Sequence, residues 1–249
     1  WEEILNREQI GVHDDFFDLG GHSLSATRLA SQLHKEFNTK IELKDIFNHP
    51  VLEAQAALIE QSLKTAFVDI VPVAEQDGYV LSSSQRRLWL LSQFEEGSIA
   101  YNMPGVYLFE GHLDVGALNT AFGKLIARHE VLRTYFKQTE AGDVLQVIVP
   151  VSDFDFAIEC HDLQGRKDPE SDLSALIGKG ILRAFDLSSL PLLRASLYQL
   201  EDKKWAFSTV MHHIISDGWS MGIMIQELLE FYNAEIKGEP LSLADLGLS

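Results

Sequence analysis

The chain has 249 residues, 46% hydrophobic and 23% charged, a soluble globular composition with room for one large domain or two ordinary ones. With 20 Lys and Arg against 37 Asp and Glu, the formal net charge is -17, which argues against a nucleic-acid or anionic-membrane partner. The lone Cys160 excludes an intrachain disulfide and a thiolate-rich zinc site, and fits a reducing cytoplasm. No signal-like leader and no run of about 18 apolar residues is visible.

At the N-terminus, "WEEIL" reads as the remnant of a helix in a sequence whose two ends look cut from something longer. From Leu24 to Phe37, apolar Ala26, Leu29, Ala30, Leu33 and Phe37 recur at spacings of three and four, which predicts an amphipathic helix starting beside Ser23. "ELKDIF" (42–47) predicts a short helix closed by Asn48, His49 and Pro50, and "VLEAQAALIEQSL" (51–63) predicts a further one. No strand pattern occurs in residues 1–62, which are expected to form one all-helical domain; 63–78 read as a linker carrying Pro72 and Gly78.

Residues 79–249 mix strands and helices. "GVYLFEGH" (105–112) alternates as a strand, and "VGALNTAFGKLIARHEVLRTYF" (115–136) is helical until it turns extended near Thr134. "VLQVIVP" (144–150) is a strand, "LSALIGKGILRAFDL" (173–187) a helix, and "LLRASLYQL" (192–200) and "KWAFSTVMHHI" (204–214) are strands. A long helix, "SMGIMIQELLEFYNAEIK" (220–237), is ended by Gly238 and Pro240. The pattern predicts an α/β fold with mainly crossover connections.

Two stretches carry chemistry. Ser23 follows Gly20 and Gly21 and precedes a helix, a position that suits either an N-cap or a phosphate ester at the positive end of the helix. A hydrolase elbow would need a strand before the serine and a second glycine after it, and neither is present. In "MHHIISDGWS" (211–220), strand alternation turns His212 and His213 to opposite faces, which makes chelation by the pair poor geometry. The spacing from His213 to Asp217 would suit two ligands on a helix, but Ser216, Asp217 and Gly218 read as a turn and no third ligand candidate lies nearby, so no metal site is expected. A catalytic base and a pair of core histidines both remain compatible with the residues.

The run Phe16-Phe17-Asp18-Leu19-Gly20-Gly21-His22-Ser23-Leu24 resembles, position for position, the attachment motif of peptidyl carrier proteins in non-ribosomal peptide synthetases. That resemblance implies a small all-α four-helix carrier bundle over residues 1–62 with its first helix truncated. It also implies 4'-phosphopantetheine covalently attached to Ser23, a phosphopantetheinyl transferase to install it, and an upstream adenylation domain to choose the amino acid.

His212-His213-Ile214-Ile215-Ser216-Asp217-Gly218 resembles the His-His-x-x-x-Asp-Gly motif of condensation domains. It follows, in the family's order, "LSSSQRRLWLL" (81–91) and "RHEVLRTYF" (128–136). The resemblance implies an α/β chloramphenicol acetyltransferase-like lobe over 79–249, the N-terminal one of two, with the C-terminal lobe absent. It implies amide formation by attack of an acceptor amine on a donor thioester, with His213 at the catalytic position and His212 structural. Asp217 would hold the loop through an arginine contact, and Gly218 would leave space beside the substrate tunnel. A carrier directly before a condensation domain implies a donor on Ser23 and an acceptor on a downstream carrier. "HHIISDGWSMGI" looks more like the subtype taking an L-configured donor than like epimerization domains. The biosynthetic setting implied is antibiotic or siderophore assembly in bacteria. A non-catalytic carrier and docking platform, or an epimerization-type relative, are the competing readings.

Overall fold

The computed structural model describes residues 1–68, 70–94, 97–241, 243–244 and 246, so Asp69 of the expected linker and 247–249 of the expected lobe fall outside it. The chain divides into two compact units, Trp1–Pro72 and Val73–Ser249.

The first unit holds α1 (Glu2–Leu5), α2 (Ser23–Phe37), α3 (Leu43–Asn48) and α4 (Leu52–Gln61). Its core gathers Phe16, Ala26, Leu29, Ile41 and Ile46, with Trp1, Leu33 and Ile59 packed around them. Phe16 is the anchor of the loop before α2: its ring meets Trp1 edge-on at 5.1 Å, and Phe17 beside it stacks on Phe47 at 4.8 Å. Asn38 closes α2 in the left-handed region, which asparagine tolerates better than most residues. Its carbonyl accepts from Thr65 N at 2.6 Å and its Oδ1 from Phe67 N at 3.4 Å, so the start of the expected linker is tied to this unit.

The second unit is built from two sheets. Strands β1 (Tyr79–Val80), β3 (Thr134–Gln138) and β4 (Val144–Ile148) form a small antiparallel sheet in the order β1-β4-β3. Strands β2 (Asn102–Glu110), β5 (Glu159–Asp162), β6 (Leu193–Glu201) and β7 (Lys204–His212) form the main sheet in the order β2-β7-β6-β5. The helices are α5 (Ser83–Ser92), α6 (Gly97–Ala100), α7 (Val115–Arg128), α8 (Pro169–Ile181) and α9 (Gly218–Lys237).

The central strands β6 and β7 of the main sheet are packed on both faces, and side-chain alternation along them sorts the residues. Leu193, Ala195, Leu197, Phe207 and Met211 join the core formed with α7 and α9, while Tyr198, Leu200 and Ala206 pack with Leu173, Leu176 and Ile177 of α8. Central β7 is consequently buried at every residue from Trp205 to His212.

The expectation of mainly crossover connections is corrected. β6 and β7 form an antiparallel hairpin with only Asp202 and Lys203 between them, β3 and β4 pair likewise, and only β5 and β6, joined through α8, run parallel. A crossover needs a dozen or more residues, which those short loops do not supply. In 115–136 the switch to extended backbone falls at Thr134, as expected, but the α-helix already stops at Arg128 and a 3-10 turn, Glu130–Arg133, leads into β3. Helix α8 begins earlier than its apolar periodicity indicates, because the Asp168 side chain caps it, accepting from Ser171 N, and Pro169 suits the first turn. Strand β5, with the sequence ECHD, was not expected at all.

Candidate functional sites

Ser23 sits in the first turn of α2, and it is His22, not Ser23, that caps the helix. His22 Nδ1 accepts from Ser25 N at 3.3 Å, while Ser25 Oγ accepts from His22 N at 2.7 Å. The Ser23 side chain is exposed and its hydroxyl makes no hydrogen bond among the described residues. The two preceding glycines have separate reasons. Gly20 adopts φ +101°, open to glycine, and Gly21 passes so close to Phe16 that a Cβ there would lie 2.4 Å from both the Phe16 ring and its carbonyl oxygen. Those glycines press the loop onto the core and leave the serine standing clear at the start of a 15-residue helix. The geometry fits a phosphodiester: an unencumbered hydroxyl beside free backbone N–H groups.

The histidine motif lies where β7 gives way to α9. His212 is the last strand residue and is 1% exposed; His213 lies just beyond the strand and is exposed. Their opposite environments match the alternation argument, though the chain has already turned at His213. His212 Nδ1 accepts from Ile214 N at 3.1 Å, which bends the backbone around the ring. Burial, with His213 beside it, pushes the His212 imidazole down to about 4, so it is neutral near pH 7. His213 N donates to Tyr101 O at 2.9 Å, and its Nδ1 lies 2.6 Å from Ser216 O. A carbonyl only accepts, so Nδ1 carries the proton and the Nε2 of a neutral ring offers a lone pair.

Asp217 caps α9. Its Oδ1 accepts from Ser220 N and from Ser220 Oγ, each at 2.8 Å, and these bonds hold its carboxyl below the usual range. The side-chain hydrogen bonds of the Asp217 carboxylate go to Ser220 in a capping box, where an arginine contact was expected. Gly218 opens α9, and a Cβ there would meet open space.

The structure brings the first of the ordered motifs to the histidine turn. An open cleft of about 560 Å³ is lined by Ser82, Gln85 and Leu88 of the 81–91 motif together with His213, Asp217 and Trp219. The 128–136 motif stands behind it as framework: His129 Nε2 and Arg128 Nε both meet the Glu227 carboxylate of α9, at 2.5 and 3.2 Å, and buried Arg133 donates to Val149 O at 2.6 Å. Sequence reasoning missed Ser82 and Ser220, although the reciprocal bonds Ser82–Gln85 and Asp217–Ser220 follow the three-residue spacing of a capping box. It also missed Tyr101, whose contribution is a backbone carbonyl and leaves no mark on residue type. No cluster of metal-ligating side chains occurs among the described residues.

The family model "Condensation domain" matches residues 75–246. The chain belongs to the condensation-domain family. The model "Phosphopantetheine attachment site" matches residues 1–59, so the condensation domain is preceded by a carrier, of a family that holds 4'-phosphopantetheine covalently on a serine. Its relatives are peptide synthetases. Gramicidin S synthase 2 of Brevibacillus brevis is 39% identical over 232 residues, covering 93% of this chain and 5% of that one. Tyrocidine synthase 3 of Brevibacillus parabrevis is 39% identical over 239 residues, covering 96% and 4%. The chain thus spans only about a twentieth of the length of such relatives. Among solved structures, the first condensation domain of the calcium-dependent antibiotic synthetase, in complex with a substrate analogue, aligns with TM-score 0.63 and 25% identity over 68% of this chain and 40% of that one. The starter condensation domain of rhizomide synthetase aligns with TM-score 0.64 and 24% identity over 70% and 41%. No helix among the described residues is long and apolar enough to cross a membrane.

Proposed function

We propose that this chain is a donor carrier and the N-terminal lobe of the condensation domain it serves, in a bacterial cytoplasmic synthetase that joins carrier-bound aminoacyl or peptidyl units by amide bonds. The observation that carries this reading is His213, exposed on an open cleft, with Nδ1 committed to Ser216 O and Nε2 without a partner among the described residues. The attacking amine must be neutral, and it loses a proton as its C–N bond forms and the C–S bond of the donor thioester breaks, the proton ending on the released thiol. Nε2 of His213 accepts a hydrogen bond from that amine, which turns the nitrogen lone pair to the carbonyl and gives the departing proton a place to go. His212 supports the turn from inside, and Asp217 fixes the start of α9.

Ser23 is the attachment serine in this reading. The 4'-phosphopantetheine it bears supplies a flexible arm ending in a thiol that holds the acyl group as a thioester. Ser23 anchors that arm without spending a hydrogen bond of α2. The carrier order makes the tethered group the donor, the likeness of "HHIISDGWSMGI" to the L-donor subtype supports an L configuration for it, and the acceptor comes on a downstream carrier. An upstream adenylation domain and a phosphopantetheinyl transferase complete the partners. A C-terminal lobe closes the cleft into a tunnel; consistent with this, the chain covers 40% of the calcium-dependent antibiotic synthetase domain it aligns with. The 249-residue chain by itself accepts the arm but does not condense.

Incubation with coenzyme A and a phosphopantetheinyl transferase, followed by intact-protein mass measurement, is expected to add one arm to the chain and none to Ser23→Ala. In the complete synthetase, His213→Ala is expected to abolish amide formation; unchanged product would leave a docking platform as the reading. Chiral analysis of the released acyl group separates an epimerase, which alters the donor without any acceptor.

A further inference from the structure

The face of the main sheet that carries α8 holds a polar cluster that the proposed chemistry does not use. Asn102 opens β2 directly opposite His212 of β7, and Arg194 of β6 lies opposite Val210, two residues from His212 on the same face. Asn102 and Arg194 converge from either side of β7 on one oxygen: Asn102 Nδ2 donates to Arg183 O at 3.0 Å and Arg194 Nη2 to the same atom at 2.6 Å. Asn102 Nδ2 also donates to Ile181 O at 2.7 Å, at the end of α8. Phe185 closes the cluster, with its ring 6.3 Å from that of His212 and the Arg194 guanidinium 3.7 Å above its centre.

Three side-chain atoms in this cluster are shut away from solvent and lack a partner among the described residues: Asn102 Oδ1, His212 Nε2 and Arg194 Nε. Their chemistry is complementary. Both Asn102 N–H groups are used, which fixes the amide orientation and leaves Oδ1 a pure acceptor. His212 Nδ1 is an acceptor for Ile214 N–H, so the ring proton of neutral His212 sits on Nε2 and must be given to something. A buried donor left unmet is costly, and one internal water between this donor and this acceptor satisfies both.

We propose that Asn102 is a positioning residue for His213: its Oδ1 receives the Nε2–H of His212 across one internal water that Arg194 Nε also contacts. The link fixes the tautomer in which Nδ1 holds the Ile214 amide, and Tyr101, the residue before Asn102, holds the His213 amide through its carbonyl. One end of β2 thereby grips the turn twice, once through the backbone and once through the buried ring. The proposal rests on the reading of His213 given above.

The test reads the ring proton first. In the 249-residue chain labelled with nitrogen-15, long-range histidine spectra are expected to show His212 with Nε2 protonated and its proton protected from exchange with water. Asn102→Asp, which keeps an acceptor, should retain that proton. Asn102→Leu should speed its exchange at least about tenfold, with circular dichroism showing that the fold persists. In the complete synthetase Asn102→Leu should lower kcat for amide formation at least about tenfold, with KM for both carrier substrates within about twofold, since a displaced catalytic group costs turnover rather than binding. An unprotected Nε2–H in the wild type, a protected one in Asn102→Leu, or unchanged kcat in that variant overturns the proposal. If Asn102→Leu does not fold, the wild-type and Asn102→Asp spectra decide. Full activity of His213→Ala would instead overturn the reading of His213 and leave the histidine spectra to judge the link alone.

Discussion

Lowering the pH from 7 to 5 is expected to cost the second unit about 2 kcal/mol through His212 alone. The ring is 1% exposed, and burial, with His213 adjacent, holds its pKa at about 4 against an ordinary 6.5. Between those values the unfolded chain takes up a proton that the native state refuses. For a basic group lowered in this way the native state loses ground as the pH falls: the penalty is negligible well above pH 6.5 and complete below pH 4. Integrating the two titrations gives about 2 kcal/mol between pH 7 and 5, and about 3 kcal/mol in full. Urea unfolding followed by near-ultraviolet circular dichroism at the two pH values measures it, with His212→Asn as the reference, because asparagine keeps an acceptor for Ile214 N–H but does not titrate. The other histidines contribute equally to both proteins and cancel in the difference. The wild type should lose about 2 kcal/mol more than His212→Asn; equal losses would refute the argument that burial of this ring governs its protonation.

Gly21→Ala should destabilise the first unit by about 2–4 kcal/mol, since relieving the clash with Phe16 requires overpacking a closed core and loosening the Gly21 N to Phe16 O bond of 2.9 Å. Amide hydrogen exchange in α2 and α4 reads the loss, and unaltered protection there would contradict the close approach. Asp217→Ala should lower the stability of the second unit by about 1 kcal/mol, the worth of an N-cap, as measured by denaturant midpoint. Because Ser220 holds the Asp217 carboxyl low, that difference should be full above the ordinary aspartate range and shrink as the pH falls from that range through the lowered pKa beneath it.

The parts of the fold legible in the sequence are those where one residue type repeats with the period of its element. Ala26, Leu29, Ala30 and Leu33 announce α2, and alternating exposed Val106 and Leu108 with half-buried Tyr107 and Phe109 announce β2. β5 is illegible because its four residues are largely polar and it exists through pairing with β6, a contact 37 residues away at Glu159 and Ser196. The site divides in the same way. His212, His213 and Asp217 were legible as side chains, but the turn that begins at His213 was not, because alternation applies only within the strand and β7 ends at His212. Their supports were not, since Ser216 and Tyr101 act through carbonyls and Asn102 through a cross-strand register that only the folded sheet defines. The cap of α2 shows a local rule giving way: serine outranks histidine as a cap in general, but His22 with Ser25 three residues on closes a reciprocal pair that Ser23 cannot.

That cap has a bearing on how a loaded carrier could be told from an empty one. Since no hydrogen bond of α2 uses the Ser23 hydroxyl, an ester formed there leaves the helix start as it was. Loading is then silent in the scaffold, and a partner that discriminates must sense the cargo directly, by touching it or by failing to find room for it. A carrier of this kind is a fixed mooring whose outline is the same with or without a vessel alongside.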